Sequence, residues 1–377
     1  MSRSTGPIRV LELIGTMHIG GAERVVAHLM RGADPARFEM HLCCTRQMGV
    51  VADALVQDGY DVQLAATKNP RWRHLTPLFV QRVIARLRPH VIHTHSTPSL
   101  LHVGPSAMFR LTPPWAHTFH FGNYPLPNGR EMRQERYFTR WPSALVSVSD
   151  SQRASIIKHH GIDPARIRTL ENGVEPNPYL ADPSVREARR REFGFTADDI
   201  VVGSIAVLSK QKGVTHFLAA ARTLADRDNR LRFLVAGGGP SEQELRQQAT
   251  DLGLGDRVVF TGWRDDATAL MTAVDVYVMA SLWEAMPLAL LEAMAARRPI
   301  VVTDVADNRR IVADGDCAIV VPPADADAIV DAVQRFVADR PAAAAMAGRA
   351  HERFGAHFTV PHMVRRYEAL FTELARA

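Results

Sequence analysis

The feature that most restricts the fold of this chain is a regular alternation of short apolar runs with amphipathic stretches along nearly its whole length. Residues 8–14, 38–44, 61–64, 91–94, 115–118, 144–148 and 167–170 have the length and β-branched content of buried strands. Stretches such as 22–31 and 75–87 between them carry helical spacing. The pattern then restarts at 200–206, 231–236, 258–260, 276–279, 300–303 and 318–321. Alternation at this spacing predicts parallel sheets with helices on both faces. Two such series, in 377 residues, predict an α/β protein of two doubly wound, Rossmann-like domains. The boundary is expected within 172–182, where Asn172-Gly173 and two Pro steps interrupt the periodicity, giving domains at 1–174 and 175–358. The last stretch, 359–377, places Met363, Tyr367, Leu370, Phe371 and Leu374 on one stripe and is read as a capping helix.

Composition narrows the class. There is no run of about 18 apolar residues that would span a membrane, and the N-terminus lacks the basic start and apolar run of a signal peptide. Three cysteines, two of them adjacent, make no disulfide framework. A cytoplasmic setting is expected. The charge is uneven: residues 1–174 hold 21 Lys and Arg against 12 Asp and Glu, whereas the remainder holds 24 against 28. A basic front half suits a phosphate-bearing substrate or an anionic membrane surface, peripherally bound. Trp72, Leu75, Leu78, Phe79, Val83 and Leu87 with Arg71, Arg73, Arg82 and Arg86 fit a basic amphipathic helix at a membrane, or a helix packed on the sheet. No nucleic-acid motif is present, and no nucleic-acid partner is expected.

In open parallel sheets ligands sit beyond the carboxyl ends of strands, so segments just after strands deserve inspection. Gly20-Gly21 follows the first strand and opens a helix, where bare backbone approaches an anion; a simple tight turn is the alternative. His93, His95, His117 and His120 lie at two strand ends. They suit hydroxyl binding or proton shuttling, and no acidic residue adjoins them in sequence at metal-ligand spacing. Lys210 and Lys212 sit at a helix entrance and are the only lysines after residue 174, the other 22 basic residues there being Arg. They can neutralise a diphosphate. Gly237-Gly238-Gly239 is another close-approach turn. Pro287 marks the start of a helix whose Met286 and Leu288 N–H groups face outward, with Glu284 before it and Glu292 on its apolar body. A carboxylate like Glu292 needs donors such as ribose hydroxyls, or an Arg partner. No Asp-x-Asp follows a strand, and Asp325-Ala326-Asp327 reads as a helix start, so no metal or other cofactor is expected.

These pieces, in this order, resemble the retaining GT-B glycosyltransferases of group 1, or family GT4. Gly20-Gly21-Ala22-Glu23 resembles the family's GGAE loop, and His93-Thr94-His95 its strand-end histidine signature. Thr118-Phe119-His120 resembles the element bearing the active-site histidine, and Asn172-Gly173-Val174-Glu175 the interdomain turn. Lys212-Gly213 matches the phosphate loop, and Glu284 with Glu292 the E-x7-E signature. The resemblance implies two domains facing across a cleft, with the final helix crossing back onto the first. It implies a UDP- or GDP-sugar donor held mainly by the second domain. Lys212 and the Met286–Leu288 backbone would hold the diphosphate, with Lys210, Gly237 and Pro287 nearby. Glu292 would meet the ribose and Glu284 the sugar, while Gly262, Trp263 and Arg264 border the base. His120 would be catalytic with Lys212 and Glu284. The acceptor would be a glycan, a lipid-linked or cell-envelope intermediate, or a small molecule, and the transferred group a hexosyl or N-acetylhexosaminyl unit. The sequence departs from the family pattern at three points. Val207 stands where an Arg is usual, Ala285 replaces Gly after the first glutamate, and Arg310 replaces Glu in a downstream loop. The alternatives are a sugar-nucleotide epimerase of the same architecture, or a non-catalytic nucleotide-sugar scaffold.

Overall fold

The computed structural model describes residues 6–65, 74–109, 111–122, 124–125 and 128–377. The chain divides into two compact units, Met1–Gly173 with Val360–Ala377, and Val174–Thr359. The first contains β1 (Ile8–Thr16), β2 (Phe38–Gln47), β3 (Asp61–Leu64), β4 (Val91–His95), β5 (Trp115–Thr118), β6 (Ala144–Ser147) and β7 (Ile167–Thr169). They form one parallel sheet in the order β3-β2-β1-β4-β5-β6-β7. The second contains β8 (Ile200–Ile205), β9 (Leu231–Ala236), β10 (Val258–Phe260), β11 (Val276–Met279), β12 (Ile300–Thr303) and β13 (Ile319–Val321), ordered β10-β9-β8-β11-β12-β13. Every expected apolar run is therefore a strand, and the α/β doubly wound reading holds for both units. The largest discrepancies are at the ends of β1 and β2, which run on together past a register shift to pair Thr16 with Gln47.

Each sheet reverses its winding once, between β1 and β4 in the first unit and between β8 and β11 in the second. At such a switch point the loops leaving the two central strands part in opposite directions and open a crevice. The loops after β1, β8 and β11 carry the Gly20-Gly21, Lys212 and Glu284 motifs.

Apolar side chains from both faces of each sheet make the cores: Leu11, Leu13, Cys43, Val80, Ile84 and Trp115 among others in the first unit, Phe217, Phe233, Val278 and Val333 in the second. At about 2 kcal/mol for each fully buried large side chain, these layers supply most of the favourable folding energy. The helix Val360–Leu374 buries Met363, Tyr367, Leu370, Phe371 and Leu374, the stripe read from sequence, and Val364 beside them. It lies against the helix Gly21–Gly32 so closely that a Cβ on Gly32 would come within 2.7 Å of Val364. Glu368 accepts the Asp34 N–H at 2.9 Å and Arg37 at 3.1 Å, tying this helix to the first unit.

The basic helix at Thr76–Leu87 resolves differently from a membrane-binding helix. Val80 and Ile84 are buried, and Phe79, Val83 and Leu87 pack on the core, so its apolar face covers the sheet. Arg71, Trp72 and Arg73 lie outside the described residues.

Candidate functional site

In the second unit the two loops at the switch point are joined by one carboxylate. After β8 a short 3₁₀ turn, Lys210–Lys212, ends at Gly213, whose φ of +59° is left-handed. A Cβ there would lie 2.0 Å from the Ala280 carbonyl oxygen, so only glycine lets the β8 loop press against the chain leaving β11. That contact brings Lys212 Nζ to 2.6 Å from Glu284 Oε1. Ser281 Oγ donates to the same oxygen at 2.7 Å, and Gln211 Nε2 reaches Oε2 at 3.3 Å. Gln211 also binds the Trp283 carbonyl, and its own carbonyl accepts the Leu282 N–H at 2.7 Å. Glu284 is buried and Lys212 half-buried, so the pair satisfies two charges that would otherwise be costly.

Pro287 occupies the position immediately before the helix Leu288–Ala295, one residue earlier than a first-turn proline. Its extended φ and ψ turn the chain so that the helix N-terminus follows directly on Glu284-Ala285-Met286. Glu292 lies in this helix, buried and already engaged. Burial, together with Glu292 and Glu284, pushes the Tyr277 hydroxyl well above its usual range. Beside them Gly237, with φ +126°, donates its N–H to the Gly262 carbonyl at 3.0 Å. A Cβ on Gly238 would fall 2.4 Å from the Trp263 ring, which stays half exposed. Gly237, Gly262 and Trp263 thus form one surface on the β9–β10 side of the switch point. Arg264 turns away from it. Its guanidinium is held by Glu192 at 2.7 Å and Asp266 at 2.8 Å and lies over Phe193.

The three departures have visible surroundings. Val207 is exposed in the β8 loop, and Ala285 is buried. Lys210, three residues beyond Val207, is exposed and has no carboxylate partner among the described residues. Arg310 pairs with Asp307 at 3.1 Å, and Arg309 with Asp304.

In the first unit sequence reading missed the central residue. Glu12 faces His93 in the β1–β4 register. Because alternate residues share a face, Glu12, His93 and His95 project together, and Thr118, the register partner of His95, joins them. Glu12 Oε2 lies 2.7 Å from His95 Nε2 and 2.9 Å from His93 Nδ1. His95 Nδ1 lies 2.9 Å from His120 Nε2, with the rings stacked. All but His120 are fully buried. The expectation that no acidic residue adjoins these histidines is thereby corrected: separation in sequence hid a neighbour one strand away. One ligand atom from each of Glu12, His93 and His95 falls within 4.8 Å of the others. The 2.7 Å contact is a direct hydrogen bond, and both it and the 2.9 Å contact are shorter than the ~3.3 Å between two ligands bonded at ~2.0 Å to one tetrahedral ion.

Burial would raise the Glu12 carboxyl, but His93 and His95 outweigh it and hold it down at about 2. Burial, with His93, drives His95 down to about 4. His120 is driven well below its ordinary value by burial and then by the neighbouring histidines. His117 points to the other face of the sheet, bonding Thr94 at 2.9 Å, and is a core residue. His120 is held where it is by a second feature sequence did not reveal. Gln152 Nε2 donates to the carbonyls of Phe119 and Phe121 on either side of it, at 3.3 and 2.8 Å. At the helix Gly21–Gly32, a Cβ on Gly20 would meet the Glu23 carboxylate at 2.3 Å, so the glycine leaves room for Glu23 to fold back over the helix start. A Cβ on Gly21 would meet open space.

Comparison with known proteins gives this geometry a family. The model for glycosyl transferases group 1 matches residues 185–353, and that for glycosyltransferase family 4 matches residues 19–177. A D-inositol 3-phosphate glycosyltransferase of Geodermatophilus obscurus is 30% identical over 310 residues, 76% of this chain and 68% of the relative. The UDP-Gal:alpha-D-GlcNAc-diphosphoundecaprenol alpha-1,3-galactosyltransferase of Escherichia coli is 24% identical over 268 residues, 69% of each. The crystal structure of Anabaena HepE in complex with UDP-glucose superposes with a TM-score of 0.87 at 21% identity, covering 97% of this chain and 100% of that one. With a relative at 30% identity and two family models dividing its length between them, the chain belongs to the group 1, family 4 glycosyltransferases of GT-B architecture.

Proposed function

We propose that this glycosyltransferase moves a sugar from a nucleotide-diphospho-sugar to an acceptor hydroxyl with retention of anomeric configuration and without a metal. The observation that carries the reading is the Lys212–Glu284 pair at the β8–β11 switch point, next to the helix that begins at Leu288. A diphosphate arriving there meets a cation and free helix N–H groups, and its negative charge grows as the glycosidic bond breaks. Donors fixed in advance stabilise that growth without reorganising. Lys212 then exchanges part of its bond to Glu284 for phosphate oxygens, which frees Glu284 to accept from sugar hydroxyls. Glu292 serves the ribose, and Gly237, Gly262 and Trp263 the base. By the family resemblance, His120 and the Gly20-Gly21 loop are the first unit's contribution. The UDP and UDP-glucose complexes of HepE support a uridine donor, with GDP as the other base to test.

A lipid-diphosphate-linked acceptor, met at an anionic membrane on the cytoplasmic side, is supported by the substrate named for the Escherichia coli relative. A surface of the first unit supports it too. Met108, Phe109 and Leu111 are exposed just after the helix Ser96–Ala107, and Phe109 is 74% so. That helix packs on Gly129–Phe138, whose Arg130, Arg133 and Arg136 are exposed at helical spacing, followed by Arg140. Apolar tips among arginines suit an anionic lipid surface. The relatives named above are transferases, so the epimerase and scaffold readings are not carried forward.

The test is release of UDP or GDP from a panel of nucleotide sugars with undecaprenyl-diphosphate-linked and soluble acceptors. Acceptor-dependent release, an α-linked product from an α-linked donor, and loss of release in Glu284→Gln are expected. No release with any pair would overturn the reading.

A further inference from the structure

In the buried network beneath His120, the contacts of His95 admit one set of protons. Glu12 is ionised and can only accept, so His95 Nε2, hydrogen-bonded to its Oε2 at 2.7 Å, must donate. His95 therefore carries its proton on Nε2. Its Nδ1, at 2.9 Å from His120, is then a lone pair, and His120 Nε2 must donate to it. A second arm ends beside the same carboxylate. Tyr367 of the final helix meets Thr118 Oγ1 at 3.3 Å, Thr118 Oγ1 lies 2.7 Å from His93 Nε2, and His93 Nδ1 lies 2.9 Å from Glu12 Oε2 without the direction of a hydrogen bond. One chain of donors, His120 to His95 to Glu12, thus ends on the anion, and His93 stands beside it. Among the described residues no protein group bonds the remaining nitrogen of His120, Nδ1, and the ring is partly exposed.

We infer that Glu12, acting through His95, fixes neutral His120 as the Nε2–H tautomer, so that His120 offers substrate a hydrogen-bond acceptor and never a donor. Glu12 and His95 are positioning residues. Resting on the proposed role of His120, the inference adds a limit on substrate class. The group that meets His120 must itself donate a hydrogen bond, as a hydroxyl or amide N–H does. A sugar that presents a carboxylate or a bare ring carbon there forgoes that bond. The depressed affinity of His120 for a second proton agrees with this arrangement. A cationic His120 would keep its bond to His95 but donate from Nδ1 as well, and burial with the neighbouring histidines opposes that state.

The direct test is the imidazole ¹⁵N spectrum of the full chain at neutral pH, with His120 assigned by its absence in His120→Gln. The expected signature is one protonated nitrogen, Nε2, and an unprotonated Nδ1. In Glu12→Gln the pattern should become a mixture of tautomers. Should that variant fail to fold, His95→Gln and His95→Leu serve instead. Gln carries both an N–H for Glu12 and a carbonyl for His120, so it should keep the Nε2–H form, whereas Leu should lose it. Transfer should follow the same order, with kcat/KM in His95→Leu reduced roughly ten- to a hundredfold, the range for a hydrogen bond to a charged group, and largely restored in His95→Gln. A Nδ1–H or cationic His120 in the unaltered chain overturns the inference, as does a tautomer unmoved in both Glu12→Gln and His95→Leu. The spectrum needs no sugar or nucleotide. A correct tautomer with full transfer in His120→Ala would therefore remove the role of His120 in the reaction, and with it the substrate limit, but leave the network standing.

Discussion

The two units repeat one architecture and place their polar side chains in opposite ways. Both are doubly wound sheets with a switch point between two central strands. In the first unit the polar groups at that point lie on the strands themselves, under the final helix, and the cluster is Glu12 with His93 and His95. In the second they lie on loops beyond the strands, and the cluster is an ion pair, Lys212 with Glu284. Groups inside a sheet are held by neighbours on both sides and can do little but orient one another. Groups on loops at a helix start can exchange partners with an incoming anion. The difference suits a first unit that presents a fixed histidine and a second that captures charge.

The largest effect expected from this contrast is at Gly213. Alanine would face the Ala280 carbonyl at 2.0 Å with a left-handed backbone. Gly213→Ala should cost about 4 kcal/mol or more and remove nucleotide binding, measured by denaturant unfolding and titration. Gly262 is also left-handed, at φ +68°, but a Cβ there meets open space. Its alanine variant should lose only about 1 kcal/mol. Next comes Lys212→Ala, which strands Glu284 without its cation and should destabilise by roughly 3 kcal/mol, the low end for a broken buried pair. Adding Glu284→Gln should recover much of that stability without restoring activity. Equal stability of the single and double variants would mean that the pair is not coupled.

Acid separates the units as well. His28, His95 and His102, all in the first unit, are held down at about 4, each chiefly by burial. Unfolded, each would take up a proton near 6.5. Folding therefore excludes protons, and its stability falls as pH drops from about 6.5 towards about 4. Glu12, held at about 2, adds to the loss below its unfolded value near 4.5. Hydrogen exchange at pH 5 should show β1, β4 and β5 opening before β8, β11 and β12. Uniform opening would break the comparison. The smallest effect expected is that of a chelator. Transfer rates should be unchanged by EDTA, and a loss restored by a divalent ion would contradict the metal-free reading.

Strand positions were legible because buried parallel strands need short apolar runs, here set off by amphipathic helical stretches on either side. Lys212, Glu284 and Glu292 stood out because each sat at an unusual place for its type. Glu12 did not, since a single carboxylate in an apolar run becomes informative only when β4 is laid beside β1. Gln152, holding the backbone around His120, was hidden for the same reason, its partners being 31 and 33 residues away. The pairing of Arg264 was obscured too, because Glu192, 72 residues away, reaches it only in the fold.

The claim beneath all of this is that the second unit's switch-point loops hold a nucleoside diphosphate, and calorimetric titration of UDP and GDP tests it most directly. One of the two should bind the unaltered chain and His120→Ala alike, and fail to bind Lys212→Met. A ligand at a hundred times its dissociation constant should also stabilise the fold by about 2.7 kcal/mol. If neither nucleotide binds, or if Lys212→Met binds as tightly as the unaltered chain, the account is wrong.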